Sequence, residues 1–428
     1  MSTAVPALAV EAVEDRPGVL GRVVALCMGP TAWSLVDQAV VSLGNFVTTI
    51  LVVRSLLPRE CGLFGILLDV TLFLNSIHAP LLTYPLSVRG AATDRATTAR
   101  LTFASLALTL LAGLLLIATG CVAGWITGSP APVIWASVSA VMWQLQEVAR
   151  RGLIARMRVR TAVAGDSVSF LGQAFFVGLL FHFGGLSLSR VFMAMSLTSA
   201  AAVSLQVIQV GWAVLSVKEI GASAKEFWQM GRWLLAGNLT GLICIPAFAW
   251  VLVYFHGLEE GAINLALLSL LKISHPVMSA VSNLIIPAVA HARAKAKGEA
   301  FAVFVKQAAV GAALLTPLFV PLLIVPSLVL KTVYAGGNAR MYSAYSGTMQ
   351  AMALSYVLIY LANMTTAYLT GLQKTRDVFV GHVANTAGSM LIGLPMVALW
   401  GVTGAAWGGG IAVAARLAAN AISIRRSA

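Results

Sequence analysis

The sequence predicts an all-α protein that crosses a membrane about twelve times. Three observations lead there. Of 428 residues, 59% are hydrophobic and only 10% charged, whereas soluble domains are about 45–50% apolar and about 25% charged. Mean hydropathy is +0.89. Twelve apolar runs follow one another, near 31–53, 62–86, 101–123, 131–148, 163–184, 191–215, 233–254, 263–288, 307–330, 348–370, 378–399 and 404–424. A spanning helix takes about 20 residues, so the runs fill the chain and leave only short loops. Such loops exclude an extramembrane catalytic domain, and no P-loop is present. Any chemistry or transport is expected inside the bundle.

Within residues 1–30, residues 1–20 carry Glu11, Glu14, Asp15 and Arg16 with no long apolar stretch, unlike a signal peptide. They read as a cytoplasmic tail. The first run places Asp37, Gln38, Ser42, Asn45 and Thr49 at spacings of three and four, one wet stripe on an apolar helix. Asp37 then lies ~9 Å deep at 1.5 Å per residue. The second run holds Asp69, Asn75, Ser76 and His78. Asp69 is too short to reach water from there, so a cavity or an ion pair is expected. The third run, LTFASLALTLLAGLLLIATG, is the plainest lipid-facing span. The fourth is short and ends at Glu147, beside Arg150 and Arg151, where an interfacial i,i+4 pair suffices. Asp166 opens the fifth above Ser169 and Gln173; it reads as shallow, with an interfacial place and a cavity both open.

The stretch KEIGASAKEFWQMGR (218–232) follows the sixth run and divides the chain into six spans plus six. The expected organisation is a first half at 31–216, a cytoplasmic linker at 217–232, a second half at 233–424 and a tail at 425–428. The loops RSLLPRECGLFGILLDV and YFHGLEEGAINLALLSL occupy corresponding places in the two halves, a weak repeat of the kind transporters show.

In the eighth run, Lys272, His275, Ser279 and Asn283 recur at three, four and four. Lys272 lies ~14 Å in, beyond full snorkelling, so it needs a carboxylate (Asp37 or Asp69) or an anionic ligand. Pro276 is expected to kink this helix. Tyr356, Tyr360 and Asn363 share a face in the tenth run, and His382, Asn385 and Ser389 form a stripe in the eleventh. Arg416 and Asn420 stand one turn apart in the twelfth, with Arg416 ~12 Å from the inner end and read as partly snorkelling.

The net charge is +13. Nucleic acid is not the expected partner, because the basic residues are spread through inter-span loops. With the N-terminus inside, 21 of the 28 Lys and Arg residues fall in inner segments and 5 in outer loops, which predicts both termini inside. The four cysteines have no metal or redox spacing and read as small hydrophobes. The histidines are dispersed and no catalytic or metal-ligand constellation is apparent, so no enzyme activity and no cofactor are expected.

Residues 36–70 carry a resemblance. Asp37 and Gln38 near the start of span one, Asn45, and then Arg54, Leu56, Pro58, Glu60, Gly62, Leu63 and Phe64 resemble the polysaccharide and oligosaccharide flippases (Wzx-like) of the MATE-like multidrug/oligosaccharidyl-lipid/polysaccharide exporter superfamily. TGLQKTRD and GVTGAAWGGG in the second half are similar to that family too. The resemblance implies two six-helix halves in a V-shaped bundle around a central cavity, in a bacterial inner membrane. It implies flipping of an undecaprenyl-pyrophosphate-linked oligosaccharide by alternating access. Lys272 and Arg416 would meet phosphate. Asp37, Gln38, Asn45, Asp69, Asn75, Asn283 and further cavity residues such as His275 and Asn363 would face the sugar path, with Asp37 or Asp69 carrying a coupling ion. Membrane lipids and a polysaccharide polymerase or synthase would be partners. Two other readings stay open, an ion-coupled drug or organic-cation antiporter of the same superfamily and a non-transporting scaffold for a synthase. A positive cavity favours the pyrophosphate and a negative one the organic cation.

Overall fold

The computed structural model describes residues 30–426 except 243, 296–298 and 336–338. The expected N-terminal tail therefore lies outside the described residues, save Pro30. Fourteen helices are used below: α1 (Pro30–Ser55), α2 (Pro58–His78, running on through Tyr84–Ala91), α3 (Arg95–Ile126), α4 (Pro130–Ala155), α5 (Val159–Asp166, running on through Gly172–His182), α6 (Leu188–Val210), α7 (Val217–Leu242), α8 (Cys244–Lys272), α9 (His275–Lys295), α10 (Glu299–Ile324), α11 (Pro326–Val333), α12 (Ala339–Ala344), α13 (Ser346–Gly371) and α14 (Thr375–Gly388, running on through Leu394–Arg425). No strand occurs among the described residues.

Local chemistry sets the helix ends. Pro58, Pro130 and Pro326 start α2, α4 and α11, where a missing N–H costs nothing. Asp94 caps α3 by accepting from the Ala96 amide, and Ser187 caps α6 by accepting from Arg190. Each of α2, α5 and α14 contains one π-turn, at Ala79–Thr83, Ser167–Leu171 and Ser389–Gly393. The break expected at Pro276 falls between Lys272 and His275, the end of α8 and the start of α9.

Nine segments among the described residues are long and apolar enough to cross a membrane. Two of them fold back on themselves. Gly257 (φ 86°) reverses α8 and Gly401 (φ 59°) reverses α14, both in a left-handed backbone that favours glycine. The reversal is read from close approaches between residues that a straight helix keeps apart. A Cβ on Gly404 would meet the Met396 carbonyl at 1.9 Å, and one on Gly408 would meet Gly393 Cα at 2.7 Å. With those two turns, with α4 as a further leg, and with α7 and α9 lengthening the two legs of α8, the chain makes twelve passes. Where loops were expected between runs seven and eight and between eleven and twelve, the chain turns at a single glycine. The polar linker at 217–232 is helical: it is the first part of α7, docked on α2 and α3. There Glu226 pairs with Arg89 at 2.5 Å and Glu219 pairs with Arg100.

The basic loops gather at one end of the bundle. There α7 meets the first half, and α8 and α11 meet it at the other end. A Cβ on Gly62 would lie 1.8 Å from the Leu258 carbonyl, so α2 and α8 touch backbone to backbone where only glycine fits. Arg54, ending α1, donates to the carbonyls of Val333 (2.6 Å) and Thr332 (3.2 Å) in α11. The main apolar core lies in the second half, around Leu267, Leu271, Ile285, Leu322 and Tyr334, and takes in Val53 of α1. A second core, around Phe64, Val191 and Phe192, takes in Ala262 of α8.

Candidate functional site

Three helices of the first half bring ionisable groups together inside the bundle, and a fourth adds an amide. Arg150 of α4 is the hub. Its guanidinium pairs with Asp37 of α1, with Glu147 one turn back (2.9 Å) and with Asp166 of α5 (2.6 Å). Arg151 takes the other Glu147 oxygen at 2.6 Å. Gln146 donates to Asp166 Oδ1 at 3.0 Å, and Gln206 of α6 donates to the same oxygen at 3.3 Å. Asp37 and Asp166 are 2% and 0% exposed. Two carboxylates thus flank one guanidinium in a dry environment, and a third supports it. The group holds three acids against two arginines. A buried charge survives only with partners of this kind, which explains why these helices pack as they do.

The π-turn Ser167–Leu171 directly follows Asp166. One turn beyond it, Gln173 donates to Thr48 Oγ1 (3.1 Å) and Asn45 Oδ1 (3.3 Å) of α1. A Cβ on Gly44 would stand 2.4 Å from the Phe170 carbonyl. α1 is therefore fixed against α5 by the Gln173 bonds on one side of a glycine contact and, through the shared Arg150, on the other.

Between the halves lies a narrow cleft of about 30 Å³ lined by Gly62, Gly65, Asp69, Asn264, Leu268 and Lys272. Asp69 of α2 and Lys272 of α8 face it from opposite sides. Lys272 is exposed there and makes no ion pair among the described residues. A turn away, the exposed His275 ring stacks on Tyr356 (centroids 5.8 Å apart, planes at 11°).

The second half carries its own polar group. Arg416 donates to Thr366 Oγ1 at 2.8 Å, and Asn420 bonds Thr365 and Thr366 at 3.0 Å each. Arg416 is thus hydrogen-bonded to α13.

The predicted residues divide accordingly. Asp37 does not neutralise Lys272; it is committed to Arg150. Asp69 and Lys272 share the cleft without an ion pair. Gln38 and Asn283 are exposed, while Asn75 and Asn363 are half-buried. Asn45 belongs with Gln173. Asp166, expected to be shallow, lies two turns inside α5, because that helix starts at Val159 rather than 163. Glu147 makes the expected pair with Arg151, but it also belongs to the buried cluster. Arg150, Asp166, Gln146 and Gln206 are the residues that sequence reasoning missed as a set. Their signal was the run QEVARR inside an apolar span together with an acid at the head of the next one.

No family model matches the sequence, and no curated protein matches it. The fold does have solved counterparts. A multidrug resistance MATE family transporter of the MOP superfamily in an inward-facing conformation superposes with a TM-score of 0.65 at 11% identity, covering 95% of this chain and 96% of that one. The lipid II flippase MurJ in an inward closed conformation gives 0.72 at 11% identity, covering 92% and 87%. An outward-facing MATE transporter of the same superfamily gives 0.60 at 12% identity, covering 92% and 94%. At such identities the likeness speaks for architecture: this is a multi-pass membrane protein with the two-halved, twelve-helix fold of MOP-superfamily transporters.

Proposed function

We propose that this protein flips an undecaprenyl-pyrophosphate-linked oligosaccharide across a bacterial inner membrane, from the inner to the outer leaflet, for surface or exopolysaccharide synthesis. The observation that carries the reading is Lys272. It stands in the cleft between the halves with no carboxylate bound to it, and Asp37, an acid that could have cancelled it, is occupied by Arg150. A cation left unpaired at that depth is costly unless a ligand meets it, and a pyrophosphate supplies the opposite charge. Arg416 offers a second phosphate contact. Gln38, Asn45, Asp69, Asn75, Asn283 and Asn363 offer bonds to sugar hydroxyls, and His275 on Tyr356 offers a flat face for a sugar ring. The lipid tail stays in the bilayer, so no covalent step is needed. Both termini face the cytoplasm, on the side of the basic loops.

One observation favours the second reading, an ion-coupled cation antiporter: the Arg150 cluster carries one carboxylate more than its arginines neutralise. In the flippase reading that excess is where a proton or sodium ion couples, through Asp37 with Asp166 beside it, or through Asp69 in the cleft. A synthase scaffold gains nothing from either feature.

The test uses cells lacking this protein. Their lipid-linked oligosaccharides are extracted and assigned to a leaflet. Build-up of a finished intermediate on the inner leaflet, reversed by the wild type and not by Lys272→Ala, is the expected result. Normal intermediates with altered sensitivity to cationic dyes would overturn the flippase reading in favour of the antiporter.

A further inference from the structure

At the basic end of the first half, away from the cleft between the halves, the starts and ends of three helices enclose an open recess of about 230 Å³. Arg95 of α3 and Arg156 and Arg158, which follow α4, line it with Thr98, Gly152 and Val210. Two of the arginines are held in place by backbone. Arg156 Nη1 donates to the Thr93 carbonyl at 2.9 Å, and Arg158 Nη1 donates to the Gln209 carbonyl at 2.7 Å. Met157 between them adopts a left-handed backbone (φ 56°), uncommon for a residue with a side chain. That bend allows both neighbours to line one recess.

None of the three arginines pairs with a carboxylate among the described residues. The acids at this end are engaged: Glu219 with Arg100, Glu226 with Arg89, and Asp94 with the first turn of α3. Three guanidiniums around one concavity repel one another unless an anion joins them, and each retains N–H donors for phosphate oxygens.

The rim says what kind of anion. Trp212, 77% exposed, packs on Phe103 of α3 (centroids 5.9 Å), and the Met157 side chain is 69% exposed. Tryptophan in that position marks the headgroup level of a bilayer. The α3 surface deeper in the membrane presents Leu110, Leu111, Leu114 and Leu115 outward. We infer that this recess binds the phosphate of an anionic phospholipid headgroup, with the acyl chains lying along α3. Basic pockets between spans on the inner side have that chemistry. The site is independent of the proposed cargo.

The test is native mass spectrometry of the full chain offered phosphatidylglycerol and phosphatidylcholine in equal amounts. The wild type is expected to retain phosphatidylglycerol preferentially. R156Q/R158Q is expected to lower that retention roughly 30-fold, the equivalent of ~1 kcal/mol for each arginine lost, and to leave phosphatidylcholine unchanged. R156K/R158K keeps the charge and is expected to keep most of the preference, which separates lost binding from a folding failure of the glutamine variant. R190Q, at the opposite end, is expected to match wild type. Equal retention of the two lipids by wild type would overturn the inference, as would an equal loss in R190Q. Displacement of phosphatidylglycerol by inorganic phosphate alone would replace the lipid with a free anion and overturn it too.

Discussion

Removing the Arg150 guanidinium is the sharpest perturbation of the first half. Arg150→Met keeps much of the stem's volume and leaves Asp37, Glu147 and Asp166 facing one another without their shared partner. The Arg150 side chain is 13% exposed and the three carboxylate side chains are 3%, 13% and 0% exposed, so water cannot take over. Breaking a buried pair by deleting one partner costs about 3–5 kcal/mol, because an uncompensated charge stays behind. Arg151→Gln is the control. Its side chain is 41% exposed and meets only Glu147, so its loss is expected at about 1 kcal/mol or less. Unfolding of the purified protein in mixed micelles would rank the two. The double variant Arg150→Met/Asp166→Asn is expected to recover part of the loss, since it deletes one of the stranded charges. Arg150→Met no less stable than Arg151→Gln would refute the argument, and so would an Asp166→Asn that adds its own loss instead of recovering some.

Arg54 is the polar latch at the end where the halves meet. Arg54→Ala removes two charge-assisted bonds to α11 and is expected to shift the open-to-closed ratio there by roughly tenfold, taking about 1.5 kcal/mol for the pair, as read by spin-label distances between Leu57 and Leu328. Gly62→Ala puts a methyl where the Leu258 carbonyl stands, and the same labels should report the α2–α8 contact pushed apart. Glu219 starts α7 by accepting bonds from the amide and hydroxyl of Ser216, and those bonds, aided by Arg100, hold its carboxyl below the ordinary value of 4.5. A lowered folded-state value stabilises at neutral pH and is lost as pH falls through that value. Hydrogen exchange at the amides of 219–221 should therefore speed up specifically in acid, and Glu219→Gln should remove the pH dependence.

Much of the architecture is legible in the sequence because membrane spans are written in composition. Twelve apolar runs of the right length suffice, with loop charge to order them. The missed boundaries share one cause. At Gly257 and Gly401 the chain reverses within one residue, and a single glycine in an apolar stretch looks like any other. The helical state of 217–232 was hidden for the opposite reason: its polar face is covered by Arg89 and Arg100, which come from far away in sequence. Single polar residues at depth were equally legible, and Asp37, Asp69, Lys272 and Arg416 all stand out. Their partners were not. Pairing Asp37 with Arg150 requires the rotation of α1 relative to α4, and sharing Arg150 with Asp166 requires the start of α5 to be placed four residues earlier than the apolar run suggests. Register between helices is a packing property, and one sequence does not contain it.

The bonds between the halves bear on how such a bundle could move. Every ion pair among the described residues lies within the first half or ties α7 to it. None joins α1–α6 to α8–α14. At the end away from α7, what closes α1–α6 against α8–α14 is glycine on backbone at Gly62, the Arg54 bonds, and apolar contacts around Val53 and Ala262. The firmly fixed element is α1, held to α5 through Gln173 and to α4 through Arg150, so it moves with the first half. Opening the closed end then requires breaking a small set of bonds rather than a charge network. A ligand in the cleft needs only a few kcal/mol of differential affinity to tip such a balance, since about 5.5 kcal/mol already turns a 1:99 population into 99:1. Lys272 lies on α8, within the helix that forms that contact. An anion bound there would act on the moving interface directly, with no relay through the rest of the protein.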